Sequence, residues 1–326
     1  MCTAIYIQQD KQHILLGRTM DFSFPLNPQL YFVPKDFKWK TSIGHQEIKT
    51  QYCFMGIGQD ISPITFADGV NEKGFAMVAL YFPEYAYYDD VDNQDHHYLN
   101  LAATELIQYL LSTCACVDDA IKELQKIKII GIKDNITNSI APLHWMMCDR
   151  YGHCAVIEKM RSGLHIMENP IGVLSNSPDF RWHMTNLQNY ISLSPYQKEK
   201  INWNKVTLSP FGQGGGTFGL PGDFTPPSRF IRSAFLKSYT EIPNTDESIM
   251  TAFHILENVS IPKGIVITKR NTFDYTQYRV VLDLKNITYS FQSYNQMDIK
   301  MIPFPNSYDT DKMIKSLALI HSTKKE

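Results

Sequence analysis

The sequence predicts an α+β protein in which antiparallel sheets are covered by helices, with an αββα sandwich as the simplest arrangement. Paired apolar strand segments are followed by paired segments of helical spacing, and this order occurs twice along the chain. The connections between neighbouring strands carry turn residues suited to antiparallel pairing. At 326 residues the chain is long, yet broad β-rich enzymes of this size form one unit, so residues 1–326 are expected to make a single domain. Periodicity alone does not separate the sandwich from other layered α+β folds.

Thr3 to Ile7 and Ile14 to Gly17 are apolar runs around the polar Gln8 to Gln12, and they predict a hairpin that ties the N-terminus into a sheet. Tyr52 to Gly58 and Phe75 to Tyr81 predict two more strands, with Asp68 to Gly74 as the turn-rich connection before the second. Leu99, Ala102, Ala103, Leu106, Ile107, Leu110 and Leu111 recur at helical spacing. A second helix starts at Asp118-Asp119, with Ala120, Ile121, Leu124 and Ile127 on one face.

The second round follows. Leu143 to Asp149 and Cys154 to Glu158 flank Arg150-Tyr151-Gly152-His153 as a hairpin, and Gly163 to Met167 adds a strand. Helical pattern resumes after Pro178, again from Pro227-Ser228-Arg229 through Tyr239, and from Asp246 to Val259. Tyr278 to Leu284 alternates, Lys285-Asn286 turns, and Ile287 to Phe291 alternates back.

Hydrophobic residues make up 44% and charged residues 20%, an ordinary globular composition. A net charge of −2 leaves no electrostatic footprint for nucleic acid. Asp10, Lys11, His13 and Arg18 interrupt any apolar signal region, and no run of 18 apolar residues occurs, so a cytoplasmic protein without a membrane partner is expected. The six cysteines follow no framework spacing, and reduced thiols are the default.

Cys2 is the residue of greatest chemical interest. Loss of Met1 would give one residue both a thiol and a free α-amine, whose ordinary pKa of roughly 7.7–8.0 suits a general base beside the nucleophile. The alternative is a chance cysteine at a terminus. Arg18 and Asp21 end the second strand and are the charged groups nearest to Cys2 across the hairpin, able to depress the thiol pKa and orient the amine. Their odd spacing puts them on opposite faces of a regular strand, so a shared site is expected to need a bend, as near Pro25. Taken alone they are a surface ion pair.

Arg229 sits in the first turn of its helix, where a cation opposes the macrodipole by roughly 0.3–1 kcal/mol, so either another group holds it there or it is simply exposed. Asn176 reads as a turn residue, a helix cap or an amide donor to an oxyanion. Gly214 to Gly219 formally satisfies G-x-G-x-x-G but runs into Leu220-Pro221-Gly222 instead of a helix, which excludes a nucleotide loop and leaves a close approach or slack. Asp89, Asp90, Asp92, Asp95, His96 and His97 lack the glycine and glutamate of a calcium loop and read as a solvated loop; Cys114-Ala115-Cys116 reads as helix-end packing.

Met1-Cys2-Thr3, Gly17-Arg18-Thr19-Met20-Asp21, Asn71-Glu72-Lys73-Gly74, Ser175-Asn176-Ser177-Pro178 and Pro226-Pro227-Ser228-Arg229-Phe230, in this order, resemble the choloylglycine hydrolase family of N-terminal-nucleophile hydrolases, which includes penicillin V acylases and bile salt hydrolases. The resemblance implies a four-layer αββα sandwich, removal of Met1, hydrolysis of a small-molecule N-acyl amide without cofactor or metal, and a homotetramer. It also implies Cys2 as nucleophile and base, Asp21 orienting the amine, Arg18 steadying the thiolate, Arg229 supporting the transition state, and Asn176 with the backbone N–H of Tyr81 as oxyanion donors.

At position 81 bile salt hydrolases tend to carry asparagine and penicillin V acylases tyrosine, so Tyr81 points toward an acylase acting on penicillin V, with bile salt amides and N-acyl homoserine lactones as alternatives. Phe22, Phe24, Tyr81 and Phe82 are expected to line the acyl pocket, or else to be ordinary core. A silent acyl-ligand binder of the same fold stands as the alternative of a different class. A papain-like hydrolase is disfavoured, because no histidine sits in that family's motif.

Overall fold

The computed structural model describes residues 1–8, 13–61, 63–91, 97–133, 138–242, 247–305 and 313–319. Two large sheets dominate it. The first has six strands in the order Val173–Leu174, Cys2–Gln8, Ile14–Phe22, Tyr275–Asp283, Thr288–Ser293 and Lys300–Pro303, every neighbouring pair antiparallel. The second runs Gly163–Glu168, Cys154–Met160, Leu143–Asp149, Phe75–Tyr81, Asp68–Asn71, Phe54–Asp60, Gln29–Val33 and Lys315–Ala318, with Ile64–Phe66 pairing Phe54–Asp60 off this path.

The strands of the second sheet read as continuous apolar runs because both faces are buried. Ala76, Val78 and Leu80 join Met146, Cys148 and Val156 in the core shared with the first sheet. Their neighbours Phe75, Met77, Trp145, Met147 and Ile157 point the other way, into a core with Leu106, Leu110 and Leu111 of the helix Leu106–Thr113. On the outside of the first sheet the helices Pro226–Tyr239 and Glu247–Glu257 add Phe230, Ile231, Ala252 and Leu256. The layers are therefore helix, sheet, sheet, helix, the αββα sandwich. Gly69 lets the helix layer close: a Cβ there would stand 2.8 Å from Leu111 and 2.8 Å from the Met55 carbonyl.

The structure departs from the sequence expectations in places. Asp68–Asn71 is itself a strand, all four residues buried, so only Glu72-Lys73-Gly74 turns. Leu99–Ala102 and Ile127–Ile130 are short parallel strands, which trims the helices to Leu106–Thr113 and Val117–Leu124; an apolar spacing that also fits a helix face is satisfied here by pairing. The helix expected from Pro227 begins at Pro226, and the next ends at Glu257, short of Val259. Residues 9–12, Asp92, Asp95, His96 and Asp246 lie outside the described residues. Among those described, no helix is long and apolar enough to cross a membrane.

Candidate active site

Cys2 opens the strand Cys2–Gln8 of the first sheet and is paired with Met20 of the long strand Ile14–Phe22. Opposite that point the strand Tyr275–Asp283 carries a bulge: Thr276 pairs with Asp21 and Tyr278 with Met20, leaving Gln277 as the extra residue. Gln277 donates to the Phe22 and Phe24 carbonyls at 2.9 and 2.6 Å and accepts from Leu26 N–H at 2.9 Å, so the chain from Phe22 to Leu26 is strapped to the bulge. The expected bend near Pro25 is not what joins Arg18 to Asp21. The two sit on opposite faces of one regular strand, and Cys2 is served from both.

On the face toward the second sheet, Arg18 is fully buried and one terminal nitrogen lies 3.0 Å from Cys2 Sγ. Its other terminal nitrogen meets Asp68 Oδ2 at 3.2 Å and the Ala67 carbonyl at 3.0 Å. A surface ion pair is thus ruled out for Arg18.

On the face toward the helices, Asp21 is also fully buried; its carboxylate accepts from Thr19 Oγ1 at 3.1 Å and Thr276 Oγ1 at 2.6 Å and stands 3.7 Å from Arg229. Burial raises Asp21 above the usual carboxylate range, although Arg229 and the N-terminal charge pull it down. Arg229 donates to the Phe224 carbonyl at 3.0 Å, the Cys2 carbonyl at 2.6 Å, Thr3 Oγ1, and Asn176 Oδ1 at 2.7 Å. These acceptors explain a cation in a first helical turn, and exclude an exposed arginine. Burial lowers its pKa, opposed first by Asp21; a guanidinium nevertheless stays protonated, so Asp21 carries the consequence of the shared desolvation.

Asn176 is the hub between the two faces. Its Oδ1 accepts Cys2 N–H at 2.7 Å, and its Nδ2 donates to the Tyr81 carbonyl at 2.7 Å, which leaves a second amide hydrogen. His183 holds it from behind: Nε2–H donates to the Asn176 carbonyl at 2.8 Å, the ring stacks on Phe230 at 4.6 Å, and burial pushes the imidazole down to about 4. With Met1 present, the terminal ammonium donates to the Asp21 carbonyl at 2.7 Å and pairs with Asp274 at 3.3 Å. The direct partner of Cys2 N is Asn176, while the Asp21 carbonyl accepts from the Met1 ammonium and lies 4.0 Å from Cys2 Sγ, and the Asp21 carboxylate stands beside Arg229.

In front of Cys2 lies a cavity of about 400 Å³ with Arg18, Phe22, Phe24, Ile57, Tyr81 and Leu143 among its walls. Phe22 and Phe24 stand 5.7 Å apart, and Arg270 lies over the Phe24 ring at 4.6 Å. Tyr81 is 38% exposed. Its N–H side follows from the ladder: Ala79 N–H meets the Ala67 carbonyl at 2.8 Å, and two residues on, the Tyr81 N–H points the same way, past the end of the Asp68–Asn71 strand. Phe82 corrects the expected pocket. It is fully buried, stacked on His144 at 4.2 Å, and absent from the cavity wall, because its side chain alternates to the opposite face from Tyr81.

The glycine-rich loop lies apart from this cavity, and Gly216 is a close approach: a Cβ there would be 2.1 Å from the Tyr196 carbonyl. Cys114 and Cys116 flank the boundary between two helices, as helix-end packing predicts. Sequence reasoning missed Asp68, Asp274, His183 and Arg270. Asp68-Gly69 is an ordinary turn signal, so nothing local marks the aspartate as a partner of Arg18.

The sequence model of the family described as "Linear amide C-N hydrolases, choloylglycine hydrolase family" matches residues 2–312. The bile salt hydrolase/transferase of Clostridium perfringens is 35% identical over 333 residues, covering 98% of this chain and 99% of that protein. A crystal structure of a mutant conjugated bile acid hydrolase from Clostridium perfringens superposes with a TM-score of 0.89 at 33% identity, covering 97% of this chain and 96% of that one. The penicillin V acylase of Pectobacterium atrosepticum is 27% identical over 302 residues, covering 86% of this chain and 74% of that protein.

Proposed function

The chain belongs to the choloylglycine hydrolase family of linear amide C–N hydrolases, and from that premise we propose that it cleaves the amide bond of conjugated bile salts, with Cys2 as nucleophile once Met1 is removed. The convergence of Arg18, Asn176 and Arg229 on one residue, Cys2, is the observation that carries the chemistry. The α-amine takes the thiol proton, and the sulfur attacks the acyl carbonyl. The oxyanion is received by the Tyr81 N–H and the second amide hydrogen of Asn176. Proton return to the leaving nitrogen expels the amine, and water then hydrolyses the thioester by the same base.

The substrate class rests on the relatives: a bile salt hydrolase/transferase matches end to end at 35%, the penicillin V acylase at 27% over less of both chains. The largely apolar cavity has a volume in the usual range for a drug-sized ligand, and Arg270 brings a cation to its rim for an anionic conjugate. Tyr81 favours a second reading, penicillin V, since an aromatic ring there offers a face to a phenoxyacetyl group.

A panel of glycine- and taurine-conjugated bile salts, penicillin V and N-acyl homoserine lactones, with Cys2→Ala as blank, tests this. Bile salts should turn over fastest, and the blank should be silent. Equal turnover by the blank would dismiss Cys2, and preference for penicillin V would give the second reading the substrate. Mass spectrometry of active protein should show Met1 absent.

A further inference from the structure

The chemistry above uses Arg18 and leaves out the carboxylate at its other end. Asp68 begins a strand of the second sheet, Arg18 lies in the first, and both are fully buried. The guanidinium divides its donors between two acceptors that can each be anionic: Cys2 Sγ at 3.0 Å and Asp68 Oδ2 at 3.2 Å. The Thr19 carbonyl at 3.1 Å and the Ala67 carbonyl at 3.0 Å hold it in place independently of either. The second oxygen of Asp68 accepts the hydroxyl of Tyr289, from the strand Thr288–Ser293 of the first sheet. Tyr278, from the strand Tyr275–Asp283, lines the same cavity as Cys2 and Arg18.

A buried cation shared by two anions stabilises each less than it would stabilise one alone. For a nucleophile this matters, because a thiolate held too tightly is abundant but sluggish. We propose that Asp68 is a positioning residue for the nucleophile: it takes a share of the Arg18 charge and so sets how strongly the Cys2 thiolate is held. The inference rests on Cys2 being the nucleophile and goes beyond it in assigning a second carboxylate to its control. Burial pushes Asp68 up to about 6 against the pull of Arg18.

The test measures the rate of Cys2 alkylation by iodoacetamide against pH, followed by peptide mass so that the other thiols do not count, together with kcat/KM on the best substrate. Purified Met1-free wild type, Asp68→Asn and Tyr289→Phe are compared. In Asp68→Asn the backbone carbonyls keep Arg18 seated while its charge falls to the sulfur; the alkylation midpoint should move down by roughly one pH unit and the limiting rate should fall. In Tyr289→Phe the carboxylate loses a donor: where it stays ionised it leans harder on Arg18 and the midpoint should move up, and where it takes a proton instead it frees Arg18 and the midpoint should move down. Midpoints equal to wild type in both variants would overturn the proposal, and if Asp68→Asn does not fold, Tyr289→Phe decides alone. Alkylation needs no amide substrate, so this result stands apart from the substrate panel and from the Cys2→Ala blank.

Discussion

Behind Cys2, the side chains of Asp21, Asn176 and Arg229 are at most 2% exposed and their polar atoms are tied to one another, to backbone or to hydroxyls. In front, Phe22 and Phe24 are half-buried, Tyr81 is 38% exposed, and the contacts are mainly apolar. The rear wall is an interlocked polar network in low dielectric, where one missing partner leaves others unsatisfied. The front wall is a surface whose pieces contribute separately. The contrast teaches that reaction type and substrate choice are held by different physics: the first by a network that resists change, the second by area that tolerates it.

The sharpest way to break this comparison is at Arg229. Arg229→Gln leaves Asp21 without its cation in a dry site and should cost about 3–5 kcal/mol of unfolding free energy in a denaturant titration; a loss below about 1 kcal/mol would mean that the rear network is not coupled. Next is Asn176→Ala, which removes a proposed oxyanion donor and should lower kcat on the order of 10²–10³ with KM little changed. A front-wall change should do the reverse: Phe24→Ala removes apolar contact of about 1.5 kcal/mol and should raise KM roughly tenfold at constant kcat. A kcat effect as large as that of Asn176→Ala would erase the distinction between the walls.

The smallest effect is one of pH. His183 is depressed to about 4 by burial, so its neutral form belongs to the fold; the stability it contributes is present above its ordinary pKa and lost as pH falls through about 4. His183→Gln keeps a donor for the Asn176 carbonyl and removes the titration. Its melting temperature should therefore decline less than that of wild type between pH 6.5 and pH 4; parallel declines would show that His183 does not titrate with unfolding.

The sequence by itself determined what is local or periodic. The first hairpin, the strands around Tyr151-Gly152, the helix carrying Arg229 and the final hairpin all lie where alternation, helical spacing and turn residues put them. Cys2, Arg18, Asp21, Asn176 and Arg229 were legible because they sit in short motifs whose order along the chain is itself a signature. Only tertiary structure decided what depends on which faces meet. It converted Asp68 from a turn residue into a buried partner of Arg18, turned Phe82 away from the cavity beside Tyr81, split Leu99–Ala102 from a helix, and let Arg18 and Asp21 serve the site from opposite faces of one strand without a bend at Pro25. The reason is physical: a local pattern records how a segment alternates, whereas the partner of a buried charge and the side of a sheet that opens onto a cavity are fixed only when distant segments pack and exclude water.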